Sequence, residues 1–174
     1  MLMKVFPHGT GEGDKPSRYL VRPDYPGRDT APPQVLRGDP AMTRALVDSI
    51  ERRWKFTSGV LSWHPDDKVS EEQEEEVMDA FEQVAFAGLE ADQRNILWVR
   101  HTHAGHHELH FLIPRLELSS GKDFNACPPG WQKDFDVFRD LFNWREGWAR
   151  PDDPARARDE LPKKADLFKA RMAR

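Results

Sequence analysis

The chain has a single cysteine, Cys127, in 174 residues. One cysteine forms no internal disulfide, so a disulfide-stapled fold is excluded and a reducing cytoplasm is expected. No apolar run approaches the ~20 residues of a membrane-spanning helix, and no membrane insertion is expected. Residues 1–9 lack the apolar region of a signal peptide. The glycines of residues 8–16 are not spaced as G-x-x-x-x-G-K-[ST], which argues against a nucleotide phosphate loop. No internal repeat is visible. Tyrosine is scarce, with only Tyr19 and Tyr25. What is present, 38% hydrophobic and 32% charged residues, suits one soluble domain with a real core.

The net charge of −4 hides an uneven distribution. Residues 66–92 hold 11 acidic side chains and one basic, Lys68, a net of −10. The segments before and after each carry +3. One acidic helix thus masks a mildly basic body, which permits a polyanion on one face.

Periodicity and punctuation place the elements. Residues 2–6 read as a strand. Residues 17–21 follow Pro16 and open a short helix carrying Tyr19 between Arg18 and Arg22. Taken alone, Tyr19 reads as an ordinary packing residue with its hydroxyl at the surface. Residues 24–33 read as a Pro- and Gly-rich loop and residues 34–37 as a short strand. Asp39 is an N-cap with Pro40 in the first helical position. The stripe Met42, Leu46, Val47, Ile50 and Trp54 predicts that this helix continues to about Lys55. Residues 56–63 are rich in strand formers; Trp63 and His64 end the run, Trp63 as a base-stacking or a core residue.

Ser70 and Gln73 form a capping box that opens the acidic helix. Its inner stripe is Val77, Met78, Phe81, Val84 and Ala85, and its glutamates face out. Residues 131–148 read as a helix with Phe135, Phe138, Leu141, Phe142 and Trp148 on its apolar face. A short helix is expected after Pro151, and residues 155–174 read as a basic tail beyond a domain of residues 1–154. The expected fold is α+β, a central antiparallel sheet with helices packed on one face and the other face open.

The open face carries the chemistry. Two apolar runs, residues 96–99 and 109–113, flank a polar stretch centred on Ala104 and Gly105, which is a hairpin signal. A turn at Ala104-Gly105 sets His103 opposite His106 and His101 opposite Glu108. Strand side chains alternate, so His101 and His103 share a face, as do Glu108 and His110. Opposite Cβ atoms lie roughly 5 Å apart and diagonal ones about 7 Å. His101, Glu108 and His110 therefore converge, and two imidazoles with a carboxylate make a three-ligand metal site with open positions. His106 and His107 read as solvated loop residues. The pattern is not the helical H-E-x-x-H of zinc proteases.

These residues resemble a known family. His101, Glu108, Leu109 and His110, followed by F-L-I-P-R-L-E-L-S-S-G-K, with Tyr19 in R-Y-L near the N-terminus, are similar to the relaxases of mobilisable bacterial plasmids, within the HUH endonuclease superfamily. The stretches 56–62, 96–101 and 108–114 carry the likeness, which runs from Lys4 to about Pro154. The chain departs from relatives in having His110 where some have Asn, and His103 where many have Asp.

The resemblance implies an enzyme that nicks one strand of plasmid DNA at the origin of transfer. Tyr19 is the matching nucleophile, leaving a 5′-phosphotyrosyl link and a free 3′-OH; His101, Glu108 and His110 are the matching metal ligands. Two imidazoles favour Mn²⁺ or a later metal; Mn²⁺ or Mg²⁺ is expected in use, with Zn²⁺ also able to bind. His103 is a candidate general base or phosphate contact. Arg18, Arg22, Arg100, Arg115 and Lys122 are candidate DNA-backbone contacts. Single-stranded plasmid DNA, accessory mobilisation proteins and a coupling protein are the implied partners, in the bacterial cytoplasm. A rolling-circle replication initiator, a metal-containing DNA-binding module and a water-using metallohydrolase are the competing readings. Tyr19 precedes the histidine motif, which favours the relaxase over the initiator.

Overall fold

The computed structural model describes residues 1–150. The elements run β1 (Leu2–Val5), α1 (Asp14–Val21), β2 (Gln34–Arg37), α2 (Pro40–Asp48), β3 (Phe56–Ser62), α3 (Glu71–Ala85), β4 (Leu97–His101), β5 (Glu108–Pro114) and α4 (Gln132–Glu146). The five strands form one sheet in the order β1-β3-β5-β4-β2, and every pairing is antiparallel. The α+β class with a central antiparallel sheet is as expected. The helix and tail expected beyond Pro151 lie outside the described residues.

The helix starts follow from their caps. Asp39 accepts a hydrogen bond from the Met42 N–H at 2.6 Å, and Pro40 needs no donor in the first turn. Ser70 and Gln73 make a reciprocal capping box. The helix stops are less regular. α2 ends at Asp48, short of Lys55, so Trp54 lies beyond it and half-exposed. α1 begins at Asp14 and takes in Pro16 within its first turn. α4 ends at Gly147, whose φ of 68° closes the helix in the left-handed region.

One face of the sheet carries the main core. Leu61, Trp98, Leu109, Phe111 and Ile113 meet Val77, Met78 and Phe81 of α3 and Phe135, Phe138 and Phe142 of α4. Phe81 lies at the centre, with ring centroids 4.7 Å from Phe111, 4.9 Å from Trp98 and 5.0 Å from Phe135. Trp63 is buried in this core at 2% exposure, which removes it from base stacking. Leu141 instead points outward with Val137 and Trp144.

Helices do not sit on one face alone. Leu97, Val99 and Leu112 form a second cluster on the opposite face, closed by Leu20 of α1. β4 and β5 are apolar on both sides except at one end, as the runs I-L-W-V and L-H-F-L-I show, and such strands need cover on both faces. α1 and α2 supply it, packing on each other and on β5. The expected open face is thus covered at Leu97, Val99 and Leu112, while Leu2 and Lys4 of the β1 edge stay exposed on the side that also carries Glu108 and His110.

Candidate metal centre

The hairpin register is the one expected: His101 pairs with Glu108, Val99 with His110 and Leu97 with Leu112. The connection is longer than expected. β4 stops at His101 and β5 starts at Glu108, so the six residues 102–107 join them. A turn closes from the Gly105 N–H to the Thr102 carbonyl at 3.1 Å, with Gly105 at φ 78°. His103 is therefore outside the strand, yet its ring lies 5.4 Å from that of His101.

His101, Glu108 and His110 each offer a ligand atom, all within 4.8 Å of one another. His101 is 1% exposed and His110 8%. His110 Nε2 donates to Glu108 Oε2 at 3.0 Å, and His106 Nε2 donates to the other carboxylate oxygen at 2.9 Å. Burial of Glu108 would raise its pKa, but hydrogen bonds and charge from His110 and His106 outweigh it and hold it at about 2. The lone pairs that share protons here are those that a cation would share, so the donor set fits a divalent ion.

Burial lowers the His101 pKa to about 4; the hydrogen bond to the Leu20 carbonyl opposes the shift, while His110, Arg28 and His103 add to it. A metal ligand must be neutral imidazole, and burial keeps His101 in that form. The same shift makes the metal-free protein acid-sensitive. An unfolded histidine titrates near 6.5, and the folded one at about 4. Between those values the unfolded chain binds a proton that the folded chain does not, so stability falls as pH drops from about 6.5 to about 4. The loss is on the order of 3 kcal/mol, at about 1.4 kcal/mol per pH unit. Urea melts across this range in EDTA should show the slope, and His101→Ala should flatten it; an equally steep slope in the variant would refute this account.

Tyr19 of α1 is 42% exposed, and its ring is 6.4 Å, edge-on, from the His101 ring. The placement follows from its neighbour. Leu20 is buried on the sheet, and its carbonyl accepts from His101 Nε2 at 2.8 Å. Two residues outside the candidate set, Tyr25 and Arg28, complete the group. Tyr25 lies 5.7 Å from both the Tyr19 and His103 rings. Arg28 is fully buried between the tyrosines, its guanidinium 5.0 Å from the Tyr19 centroid and 4.8 Å from Tyr25. Both belong to the Pro- and Gly-rich loop, whose composition carries no periodic signal. Gly27 is the exception that hints at a close approach: its φ is 83°, and an added Cβ would sit 3.3 Å from the His103 carbonyl oxygen.

The candidate DNA contacts divide. Arg18 is well exposed and pairs with Asp14 at 3.2 Å; Arg22 pairs with Asp24 at 3.0 Å. Both stand beside Tyr19. Arg100 points to the opposite face, where it bonds Glu74 at 2.8 Å and Gln34. Arg115 is buried against Asp123 at 2.7 Å, and exposed Lys122 follows it in the loop after β5. Those two lie at the far end of β5, roughly 20 Å from Glu108 at about 3.4 Å per residue. His107 is not a solvated residue: it meets buried Glu74 of α3 at 2.5 Å. Glu74 is thus the one glutamate of the acidic helix turned fully inward, tying the hairpin connection to α3.

An antiparallel sheet that gathers two histidines and a glutamate at the end of adjacent strands, beneath a short helix, is an HUH-like α+β layout. The chain belongs to the relaxase family: the model of the MobA/VirD2-like relaxase nuclease domain matches residues 40–143. That span holds all three ligand candidates and begins after Tyr19 and Arg28. The chain is 39% identical over 170 residues to cryptic plasmid protein C of Neisseria gonorrhoeae, covering 96% of this chain and 80% of that protein. It is 34% identical over 168 residues to DNA relaxase MbeA of Escherichia coli, covering 93% of this chain and 32% of that protein. The chain therefore spans about a third of the length of this second relative. Among the described residues no helix is long and apolar enough to cross a membrane.

Proposed function

We propose that this chain is the strand-nicking nuclease domain of a plasmid mobilisation relaxase, with residues 1–154 as the domain. The observation that carries the reading is the convergence of His101, Glu108 and His110 beneath the helix that presents Tyr19. The substrate is single-stranded plasmid DNA at an origin of transfer. The tyrosine Oη attacks the scissile phosphorus. The Oη–P bond forms, the bond from phosphorus to the 3′ oxygen breaks, and the phenolic proton leaves while the 3′ oxygen gains one. The products are a 5′-phosphotyrosine and a free 3′-OH. Attack by a 3′-OH on the same phosphorus reverses the step and rejoins the strand.

His101, Glu108 and His110 would hold Mn²⁺ or Mg²⁺, or Zn²⁺, which supplies Lewis-acid polarisation and orientation of the phosphate. Arg18 and Arg22 flank the nucleophile and are the arginines best placed for backbone phosphates. Accessory mobilisation proteins and a coupling protein in the bacterial cytoplasm complete the proposed setting. The test is covalent capture: single-stranded oligonucleotides spanning candidate origins, with Mn²⁺, should yield an SDS-resistant protein–DNA adduct. Cleavage without an adduct would instead mark a metallohydrolase, and binding without cleavage a DNA-binding module.

His103 is the proposed general base or phosphate contact. It stands at the mouth of the site against Tyr25, and its Nδ1 is buried without a hydrogen-bond partner. His103→Ala is expected to slow adduct formation about 10²–10⁴-fold, the range for a positioned proton acceptor. Mn²⁺ affinity should stay close to wild type. An unchanged rate would remove His103 from the reaction.

A further inference from the structure

Arg28 lies within the site but takes no part in the chemistry proposed for it. Its side chain is fully buried, and no carboxylate among the described residues pairs with it. A buried charge is costly and is ordinarily paired. Here Nη1 donates to the Tyr19 carbonyl at 2.6 Å and to the Arg22 carbonyl at 3.1 Å, at the end of α1. Nη2 lies 3.3 Å from His101 Nδ1, and Nε has no partner. The two tyrosine rings lie against the guanidinium.

These contacts have a chemical consequence. A guanidinium only donates, so Nδ1 of His101 must be the accepting nitrogen. The proton then resides on Nε2, which donates to the Leu20 carbonyl. Both ring nitrogens are then engaged, so ligation by His101 requires its ring to release Arg28, while the grip of the fork on the α1 backbone that carries the candidate nucleophile does not depend on that contact. Lysine would retain the charge without the fork.

We propose that Arg28 is the positioning residue of the strand-transfer centre, holding the end of α1, and with it the Tyr19 ring, in place beside the ligand group. The proposal rests on the relaxase reading. It assigns the buried charge a role in the reaction rather than in folding alone: displacing the nucleophile by about 1 Å can cost on the order of a hundredfold in rate.

The test combines a rate with a spectroscopic signature. Single-turnover adduct formation is measured for wild type, Arg28→Lys and Arg28→Met, at temperatures where circular dichroism shows each folded. The rate constant and the final amplitude are read separately. Because the chain has only two tyrosines, both in this site, 3-fluorotyrosine ¹⁹F spectra report on Tyr19 and Tyr25 alone. Both variants are expected to lose about a hundredfold in rate constant, with displaced ¹⁹F signals. Arg28→Lys guards against a simple failure of Arg28→Met to fold. A purely structural role predicts lower amplitude with an unchanged rate constant, and that result overturns the proposal. Unmoved ¹⁹F signals overturn it as well. An absent wild-type adduct sinks the relaxase reading itself and this proposal with it, whereas a wild-type adduct with unimpaired variants sinks only the role of Arg28.

Discussion

Tyr19→Phe is expected to abolish the covalent protein–DNA adduct while leaving the fold and the metal affinity intact. Phenylalanine keeps the ring that stands 6.4 Å from His101 and 5.0 Å from the Arg28 guanidinium. It removes only the hydroxyl, whose oxygen is the proposed attacking atom. Ser17, the other hydroxyl on α1, is buried, so the loss should be complete rather than graded. Tyr25→Phe is the informative partner experiment. Tyr25 is 37% exposed and sits in the same aromatic group, against His103 rather than His101. If Tyr25→Phe removes the adduct and Tyr19→Phe does not, the nucleophile has been misassigned between two neighbours. If the adduct survives in both single variants and in the double one, tyrosine attack is wrong. Mass spectrometry of the trapped tryptic peptide identifies the attached residue directly.

The second large effect is expected at the metal ligands. His101→Ala should weaken Mn²⁺ binding by more than the 10- to 100-fold typical of outer-shell changes, because it deletes a ligand outright. It also empties a buried position and frees the Leu20 carbonyl and an Arg28 N–H, so the fold will suffer too. Glu108→Gln separates the two effects. Glutamine nearly preserves the shape and keeps one acceptor oxygen of the two that His106 and His110 use, but it removes the negative charge that balances a cation. Titration calorimetry with Mn²⁺ on folded Glu108→Gln should show a comparable loss, and adduct formation should fall in parallel. Undiminished binding in that variant would place the metal elsewhere. Retained nicking in EDTA would make the reaction metal-independent.

These expectations draw unequally on sequence and on fold. The alternation of β4 and β5 alone sets His101 across from Glu108 with His110 on the same side, because strand side chains repeat every second residue. The caps at Asp39 and Ser70 are likewise local chemistry, and α2 and α3 begin where those residues say they should. The α+β class follows from such segments. Helix ends were less legible: the apolar spacing from Met42 to Trp54 continues past the true end of α2 at Asp48. The six-residue connection in place of a two-residue turn has the same origin, since a turn centre can be read where its length cannot.

What only the tertiary structure decided is which long side chains are free and which loop enters the site. Arg100 looked available for phosphate, yet the pleat turns it onto α3, where Glu74 holds it. Arg115 was spent on Asp123 at the far end of the strand. Cover of both sheet faces by helices was implicit in the apolar runs of β4 and β5, but the choice of α1 and α2 as the cover depends on packing. Arg28 and Tyr25 had no sequence signal, because a loop without periodicity does not reveal what it faces. Side-chain alternation is a one-dimensional rule, so the sequence by itself determined the His-Glu-His group. The buried Arg28 behind Tyr19 arises where the loop after α1 meets His101, 73 residues away in the chain, and only that packing could place it.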